Sequence, residues 1–470
     1  MFRPARALRR PTPRLLRWAL LAGLVGAWLA LARPSPLALG YGALVVLFLV
    51  LLLVGATTLA WMLYAWREPA GIEAVGFAES DRPAAHSFSL ILPARHEERV
   101  LGATIACLRG QRHPDFEVIV VVGDDDPGTR AVAEAAIAGD SRFRVIEDDS
   151  QPKNKPKALN AALPHCSGDV VGVFDAEDQV AADLLLAVDR RFQGTGAEVV
   201  QGATQLMNFS SSWFAVRNVL EYYFWFKSRL HFHAAAGFIP LGGNTVFVRR
   251  PWLQAAGGWD PNCLAEDCDL GSRLSTMGAR TVVSYSPELV TREETPATVT
   301  GLVRQRTRWN QGFLQVLRKG EWRELPPAGR ALAAYTLSFP FLQAVLALLL
   351  PLALAGAILG KLPILLTLLG FLPTVAVVGI LAVEAVGLSE FGRDFGVHVR
   401  ARDYLRLIVG FLPYQLLLAG AACHAVSREL RGVNNWEKTA HVGAHQDEHE
   451  RKRPEGPRGA RRHGRSSPSC

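Results

Sequence analysis

The sequence predicts an α/β domain with a mostly parallel sheet, placed between groups of membrane-spanning helices. From about residue 84 to residue 325, short runs rich in β-branched residues alternate with helical patterns, which is typical of a parallel sheet covered by helices. On both sides of this region lie apolar segments close to the roughly 20 residues that cross a bilayer. A chain of 470 residues is long enough for both parts.

Five segments have the composition of membrane helices, two before the soluble region and three after it. They are Leu15–Ala32, Leu37–Trp66, about Ala331–Leu359, Leu362–Leu388 and Leu405–Val426. The first segment has an alternative interpretation as a cleaved signal peptide, because a basic start precedes its apolar run. A second apolar run follows at once without a convincing cleavage site, which favours a membrane helix. The predicted organisation is therefore a basic N-terminus with two helices (1–66), a catalytic-type α/β domain (84–325) and membrane or interfacial helices (331–426).

The net charge of +8 is concentrated at the two ends of the chain. Residues 1–18 carry six Arg and no acid, and residues 451–470 carry seven Lys or Arg and one Glu. A nucleic-acid-binding protein would place this charge on a folded face, so no nucleic-acid partner is predicted. Basic flanks beside membrane helices indicate a cytoplasmic location. Residues 427–470 are predicted to form a basic, partly disordered cytosolic tail that contacts anionic lipid or only aids solubility.

Several common site signatures are missing from the sequence. No Cys-x-x-Cys pair occurs, and Cys263 and Cys268 are isolated from His, so no zinc site is predicted and reduced thiols are expected. Neither Gly-x-Gly-x-x-Gly nor a Walker-type loop is present, so dinucleotide and P-loop functions lack their fingerprints.

Strands and helices alternate from the start of the soluble region. The predicted strands are "SFSLILPA", "FEVIVVVG", "RFRVIEDD" and "DVVGVF", and the helices between them are "ATIACLRGQ", "RAVAEAAIA" and "KPKALNAAL". Ligands bind at the carboxyl ends of parallel strands. The acidic clusters Asp124–Asp126 and Asp175–Asp178 both follow strands, so we expect a binding site at this edge of the sheet.

Residues 205–240 differ from the alternating region because they are aromatic and basic. Two interpretations remain open for this stretch. It is either an amphipathic segment that lies on the membrane or under an acceptor channel, or a buried core helix.

Two carboxylate clusters are candidates for chemistry. Asp175, Glu177 and Asp178 follow a strand, and carboxylates in this pattern can hold Mg²⁺ or Mn²⁺, which in turn hold phosphates. In the second cluster, Glu266, Asp267 and Asp269, one carboxylate can take a proton from an attacking hydroxyl. The alternatives are a solvated acidic turn and a helix N-terminus that attracts acids through its dipole.

Cationic and aromatic residues supply a second set of candidates. Gln305, Arg308 and Trp309 form a Q-x-x-R-W cluster shortly before a membrane helix. The planar guanidinium of Arg308 suits a diphosphate, and Trp309 offers a flat face to a sugar ring or anchors the chain at the membrane interface. Lys155 and Lys157 either neutralise phosphate or lie on an ordinary surface.

These motifs together resemble the membrane-integrated, processive-type members of glycosyltransferase family 2, the group of the cellulose, chitin and hyaluronan synthases. "PARHEE" is similar to the family's P-A-x-N-E-E, with His96 in place of Asn. "KPKALN" is similar to its K-x-x-A-L-N, and "FDAED" to its D-x-D, with Glu177 replacing the second Asp. "AED" at 265–267 resembles its T-E-D motif, and Q-x-x-R-W matches outright.

The resemblance implies a GT-A (Rossmann-like) catalytic domain, a nucleotide-sugar donor that is commonly UDP-linked, a divalent metal (Mg²⁺ or Mn²⁺) and inversion at the anomeric carbon. Asp267 would be the general base. The implied residues for the sugar donor are Glu97, Asp124 or Asp125, Lys155 and Asp175; for the metal, Asp175, Glu177 and Asp178; and for the acceptor and diphosphate, Glu266, Gln305, Arg308 and Trp309. The family's strand-end motif usually continues with Gly-Ser, whereas this chain reads "GDDDPGT", so the choice between Asp124 and Asp125 stays open.

Three functions are compared at this stage. The first is addition of sugars to a growing glycan, with possible export and accessory export subunits; the second is transfer of one sugar to a lipid or polyprenyl acceptor; the third is a non-catalytic membrane scaffold. The catalytic domain is expected on the cytoplasmic side of the plasma membrane, because nucleotide sugars occur in the cytoplasm. Positive-inside counting then requires that one late segment does not span, and Pro413 makes Leu405–Val426 the candidate. "WEKTAH" at 436–441 is predicted to lie near the site.

Overall fold

A computed structural model describes residues 35–67, 83–359 and 362–436. The predicted span Leu15–Ala32 and residues 437–470 of the predicted tail lie outside these ranges. The described chain is an α/β domain flanked by long apolar helices, so the predicted fold class is confirmed. The domain boundaries at 66, 84, 325 and 426 stay predictions.

The centre of the domain is a seven-stranded sheet in the order β3-β2-β1-β4-β7-β5-β8. β3, β2, β1 and β4 are parallel neighbours, and β7 runs antiparallel to β4 and β5. A separate parallel pair consists of β6 and β9. The strands are β1 Phe88–Ala94, β2 Phe116–Gly123, β3 Phe143–Asp148, β4 Val170–Val173, β5 Val199–Gly202, β6 Thr204–Leu206, β7 Val246–Arg249, β8 Thr281–Ser284 and β9 Thr291–Glu293.

Helices cover both faces of the sheet and continue into the apolar part of the chain. Those of the α/β domain are α2 Leu101–Arg109, α3 Pro127–Ile137, α4 Lys155–Ala162, α5 Leu184–Thr195, α6 Ala215–Phe224, α7 Leu230–Ala235, α8 Arg250–Ala255, α9 Glu266–Thr276 and α10 Val299–Lys319. The flanking helices are α1 Pro36–Arg67, α11 Pro327–Leu359, α12 Ile364–Asp394, α13 Ala401–Val409 and α14 Phe411–Leu430. The strands and helices predicted up to residue 173 are all present.

The apolar character of the central strands explains their position. Ile91 and Ile119 belong to one hydrophobic cluster and Leu90 and Val120 to another, because alternate side chains of a strand point to opposite faces. All four side chains are fully buried. Because both faces of the sheet are covered, polar groups lie at the ends of the strands. The motif residues follow β1, β3 and β4 at these ends.

Residues 205–240 form α6, a π-helical turn at Trp225–Arg229, and α7. Most of these side chains are buried, which supports the core-helix interpretation over a stretch lying on the membrane surface. The segment also connects the α/β domain to α1, because Ser228 Oγ donates a hydrogen bond to the Trp61 carbonyl at 2.6 Å. The guanidinium of Arg229 lies over the ring of Trp61 at 4.1 Å and that of Phe339 at 5.2 Å.

Three of the described helices are long and apolar enough to cross a membrane: Ala38–Trp66, Pro327–Leu349 and Ile364–Asp394. The predicted last span consists of two helices, α13 and α14, which are bent by 48° at Gly410. Such a bend belongs to a broken span or a re-entrant segment, and it lies three residues before the Pro413 that the sequence suggested. α1 packs along α12, and α14 packs along α10 and α11.

The cysteines play no part in the architecture of the site. Cys166, Cys263, Cys268 and Cys423 are free thiols, as expected. Cys107 is disulfide-bonded, which departs from the expectation of reduced thiols throughout.

Candidate active site

The motif loops meet around one cavity of about 900 Å³, which extends from the strand ends towards the apolar helices. Among the described residues, its lining contains most of the predicted site residues. They are Glu97, Lys155, Asp175, Glu177, Glu266, Asp267, Gln305, Arg308 and Trp309. These residues come from five separate motifs, and the first and last of them are more than 200 positions apart in the chain. They are therefore neighbours only in the fold.

Lys155 is the first residue of α4 and connects two loops of the site. Asn154 caps this helix, accepting a hydrogen bond from the Lys157 amide at 3.0 Å. The Lys155 ammonium pairs with the Asp175 carboxylate and donates to the Gly243 carbonyl at 2.8 Å. Burial opposes the charged form, but Asp175, Glu266 and Asp267 outweigh it and raise the lysine pKa. Lys155 therefore remains a cation among carboxylates.

Asp175, Glu177 and Asp178 differ in their surroundings although they are adjacent in sequence. Asp175 and Glu177 line the cavity, whereas Asp178 is fully buried and does not. Asp178 accepts hydrogen bonds from the Asp175 amide at 2.7 Å and from Asn244 Nδ2 at 2.8 Å. Burial, and then the nearby carboxylates, raise its pKa well above the usual range. In this position Asp178 shapes the turn that presents Asp175, and its role as a metal ligand stays a prediction.

Glu266 and Asp267 begin α9 and lie against the loop at Gly243. A Cβ added at Gly243 would stand 2.9 Å from Asp267 Oδ2, so a glycine lets the chain pass close to this carboxylate. Asp267 Oδ1 accepts a hydrogen bond from the Cys268 amide at 2.7 Å. Burial raises the pKa of both acids, and for Glu266, with the repulsion of Asp267, it does so to about 7. Such carboxylates are suited to proton transfer near neutral pH.

Gln305, Arg308 and Trp309 share one face of α10 because residues three and four apart are neighbours on a helix. The helix approaches the acidic loop closely at Gly312, where a Cβ would overlap the Cβ of Ala265. Gln315 Oε1 also accepts a hydrogen bond from the Leu264 amide at 2.8 Å. These contacts place Arg308 on the same cavity as Glu266 and Asp267.

The segment after α14 returns to the site. The guanidinium of Arg308 lies 4.4 Å from the ring centroid of Trp436, and Trp436 lines the cavity. The segment is held by Asn434, whose Nδ2 donates to the Asn262 carbonyl at 3.1 Å, and by Arg428, which bonds Asn435 at 3.0 Å. The prediction that the stretch starting at residue 436 lies near the site is confirmed for Trp436; residues 437–441 lie outside the described chain.

Trp309 faces a layer of aromatic and ionic groups below the acidic loop. Its ring lies 6.4 Å from that of Tyr222, and Arg306 stacks over it at 4.8 Å. Arg306 in turn pairs with Glu221 and donates to Asn218 Oδ1 at 2.6 Å. Trp309 therefore separates the acidic site from the part of the cavity that lies between the apolar helices.

Asp124 and Asp125 are not part of the cavity lining. Each pairs with a cation that lines the cavity, Asp124 with Lys153 at 2.6 Å and Asp125 with Arg95 at 2.7 Å. Contact of one of them with the nucleoside stays a prediction. Asp148, which the sequence analysis missed, is buried at the end of β3 and lines the cavity beside Lys153. Its place at a strand end was a usable signal.

Three carboxylates that are candidates for a divalent metal lie in the oxygen-rich part of the cavity. Asp175, Glu177 and Glu293 all line it, and Asn244 Nδ2 donates to Glu293 and so orients that carboxylate. Carboxylate oxygens are the ligands that Mg²⁺ and Mn²⁺ prefer. Glu293 was not predicted; it belongs to β9, far from any acidic run.

The geometry defines a class of protein: an α/β domain in which a pair of adjacent carboxylates, a second group of carboxylates and a cationic helix meet on one cavity. Comparison with known proteins gives the family. Residues 83–312 match the family described as "Glycosyltransferase like family 2". This part of the chain is a glycosyltransferase family 2 domain.

Relatives with curated names include enzymes of two kinds. A "Beta-monoglucosyldiacylglycerol synthase" of Trichormus variabilis is 30% identical over 233 residues, which is 48% of this chain and 49% of the relative. A "Poly-beta-1,6-N-acetyl-D-glucosamine synthase" of Staphylococcus epidermidis is 23% identical over 264 residues, 56% of this chain and 62% of the relative. The match thus spans about half the length of the first of these relatives.

A solved structure supports the fold. The mannosyltransferase from Pyrobaculum calidifontis, determined in complex with GDP-Man and Mn²⁺, superimposes with a TM-score of 0.53 at 18% identity, covering 82% of this chain and 99% of that one. At this identity the likeness shows the GT-A fold alone.

Proposed function

We propose that this chain is a membrane-bound, inverting glycosyltransferase that moves a sugar from a UDP-linked donor to a hydroxyl acceptor. The observation that supports it most is the meeting of Asp267, the Lys155–Asp175 pair and Arg308 on one cavity. A scaffold without activity has no use for buried carboxylates with raised pKa values in such an arrangement.

The residues divide into two groups by the charge they handle. Sugar transfer builds negative charge on the departing diphosphate, and Arg308 and Lys155 are the cations that can stabilise it. When bound at Asp175, Glu177 and Glu293, a divalent metal would add further positive charge for the diphosphate. Asp267 accepts the proton of the attacking hydroxyl, and Glu97 and Asp148 lie where the nucleoside would bind. Trp309 offers its face to the acceptor sugar or head group.

The acceptor is proposed to be a glycan or a lipid. The printed names of the relatives include a synthase of a glucosyl lipid and a synthase of a polysaccharide, and both acceptor types are consistent with a cavity that reaches the apolar helices. Export subunits would be needed only for a polymer. The α/β domain is placed on the cytoplasmic side of the plasma membrane, in keeping with the basic N-terminal flank.

The decisive experiment incubates membranes containing the full chain with a panel of labelled nucleotide sugars, with Mg²⁺, with Mn²⁺ or with a chelator. We expect labelled product from at least one donor, loss of product with the chelator, and release of one nucleoside diphosphate per sugar transferred. The matched control is Asp267→Asn. No turnover of any donor by the wild-type chain would refute the proposal.

A further inference from the structure

The cavity reaches only part of the way along the apolar helices. Among the described residues, the lining residues farthest from the site are Leu51 on α1, Gln343 on α11 and Val377 on α12. α1 starts at Pro36 and α12 at Ile364, so the halves of these helices farthest from the site contribute no lining. A passage for a polymer would follow the helices along their whole length. With a rise of 1.5 Å per residue, this cavity extends only about 10–16 Å along them.

The packing of the helices leaves one side of the cavity open. α12 packs along α1, and α14 packs along α10 and α11, while α12 and α14 line opposite sides of the cavity without extended packing against each other. Side chains beside the lining are exposed and apolar, including Val378 (60% exposed) on α12 and Leu416 (44%) on α14. The gap between α12 and α14 therefore faces the lipid that would surround these helices.

The short helix α13 spans this gap on the side of the α/β domain. One face of it is anchored, because Arg217 on α6 donates to the Leu407 carbonyl at 2.8 Å. Its other face exposes Leu405, Ile408 and Val409. An amphipathic helix of this kind lies in the membrane interface with its apolar face in the lipid. The opening below it is then at the depth where lipid head groups meet acyl chains.

The cavity changes from charged to apolar with distance from the site. Two ion pairs lie between the site and the helices, Arg306 with Glu221 and Arg217 with Glu384 at 2.7 Å. Arg229 also lines this part, with its guanidinium over the rings of Trp61 and Phe339. Farther in, the amides of Gln343 and Gln415 bond each other. The lining there includes the apolar side chains of Leu51, Val54, Val377, Ile380 and Leu418. This gradient suits a polar head group followed by an apolar tail.

We infer that the acceptor is a membrane lipid with a hydroxyl-bearing head group, which enters sideways between α12 and α14. This inference rests on the proposed glycosyltransferase function. The lipid hydroxyl attacks the anomeric carbon, its oxygen forms the new glycosidic bond, and its proton passes to Asp267. The bond to the diphosphate breaks, and the nucleoside diphosphate leaves with the electron pair. The tail stays between the helices and in the bilayer.

The test uses the full chain in vesicles that contain diacylglycerol as the acceptor probe, and compares two adjacent substitutions on α12. Val377→Trp places a large ring in the proposed path, whereas Val378→Trp places the same ring on the exposed face. Two quantities are measured: labelled sugar recovered in the organic phase, and binding of the sugar donor that the wild-type chain turns over. We expect Val377→Trp to reduce lipid labelling about ten-fold or more, since a ring inserted in a packed space blocks it. Donor binding should stay near the wild-type level in both variants, and Val378→Trp should label lipid normally.

Three outcomes would overturn the inference while leaving the proposed function intact. The first is equal lipid labelling by the two variants; the second is a water-soluble polymer as the wild-type product; the third is labelling of polyprenyl phosphate but not of diacylglycerol. Absence of nucleoside diphosphate release from every donor tried with the wild-type chain would instead remove the proposed function itself. Folding of Val377→Trp is checked by the same donor-binding measurement, because the α/β site must be intact for it.

Discussion

Single carboxylates at this site have different tasks that are set by their surroundings. Asp267 stands at the start of α9, half-buried beside Glu266 and close to Gly243, whereas Asp178 accepts hydrogen bonds at both oxygens, from the Asp175 amide and from Asn244. Asp175 lies between these extremes, paired with Lys155 and facing the cavity. Aspartates of neighbouring motifs therefore differ in their tasks because they bond different partners.

Replacing Asp267 with Asn should remove the general base without changing its shape. We expect the transfer rate to fall by about 10²–10⁴-fold, the usual contribution of a positioned acid or base. Binding of the sugar donor, measured by calorimetry on the purified variant, should stay close to wild type because Asp267 faces the acceptor side. Retained turnover in this variant would remove the assignment.

The pH dependence of transfer should follow the Glu266–Asp267 pair. Burial, with repulsion from Asp267, raises the pKa of Glu266 to about 7, and burial raises that of Asp267. A base works only when deprotonated, so kcat/KM should increase as the pH rises through this value and then level off. In Glu266→Gln the like charge is gone, and the rise should move to lower pH. An unchanged profile in Glu266→Gln would contradict the coupling of the two acids.

Asp175→Asn and Asp178→Asn should separate a metal ligand from a structural acid. Loss of the Asp175 charge should raise the Mn²⁺ concentration needed for half-maximal activity by about ten-fold or more, because anionic oxygens are preferred by this ion. Asp178 is fully buried and both its oxygens accept hydrogen bonds, so Asn at this position should shift the metal requirement much less. Metal titrations of both variants under one assay give the comparison, and equal shifts would show that Asp178 is also a ligand.

Helix α10 is the element that carries the cationic part of the site. Its position depends on contact with the loop before α9, at Gly312 and through Gln315. It also packs along α14, whose following segment brings Trp436 onto Arg308. The orientation of Arg308 therefore depends on three elements that are distant in sequence.

Gly312→Ala should move this helix. A Cβ at position 312 would overlap Ala265, so α10 must shift or the loop must yield, at a cost of about 1–3 kcal/mol for overpacking. We expect a lower melting temperature together with reduced kcat. The matched control is Gly194→Ala on α5, where nothing lies within 4 Å of the added Cβ. If both variants behave alike, the contact does not position α10.

On the scale of the whole molecule, α6 and the π-helical turn after it fix the α/β domain to the flanking helices. Arg217 pairs with Glu384 on α12 at 2.7 Å, and Lys227 contacts Glu390 and Asp394 near the end of the same helix, each at 3.2 Å. Arg229 is stacked between α1 and α11. These contacts hold the α/β domain against the flanking helices, so one cavity extends from the strand ends to the helices.

Arg217→Ala should weaken the junction strongly. Arg217 is 4% and Glu384 12% exposed, so the substitution leaves a carboxylate buried without its partner, which costs about 3–5 kcal/mol. The double variant Arg217→Ala/Glu384→Gln should recover part of this loss because the uncompensated charge is removed. Thermal unfolding of the purified full chain measures both. If the loss of stability in the double variant equals the sum of the losses in Arg217→Ala and Glu384→Gln, the pair is not coupled.

The amino-acid sequence alone determined the fold class, the first four strands and nine of the residues that line the cavity. Runs of β-branched residues predict strands because they reflect a local conformational preference. Acidic motifs that follow such runs predict site residues because ligands bind at strand ends. Only the tertiary structure decided which carboxylates face the cavity. Asp124 and Asp125 follow a strand end but do not line the cavity and instead pair with Lys153 and Arg95, while Asp148 and Glu293 come to the cavity through β3 and β9. The bend at Gly410 and the gap between α12 and α14 also depend on packing between distant helices. Local sequence patterns carry no information about such contacts, because each is created by the meeting of separate elements.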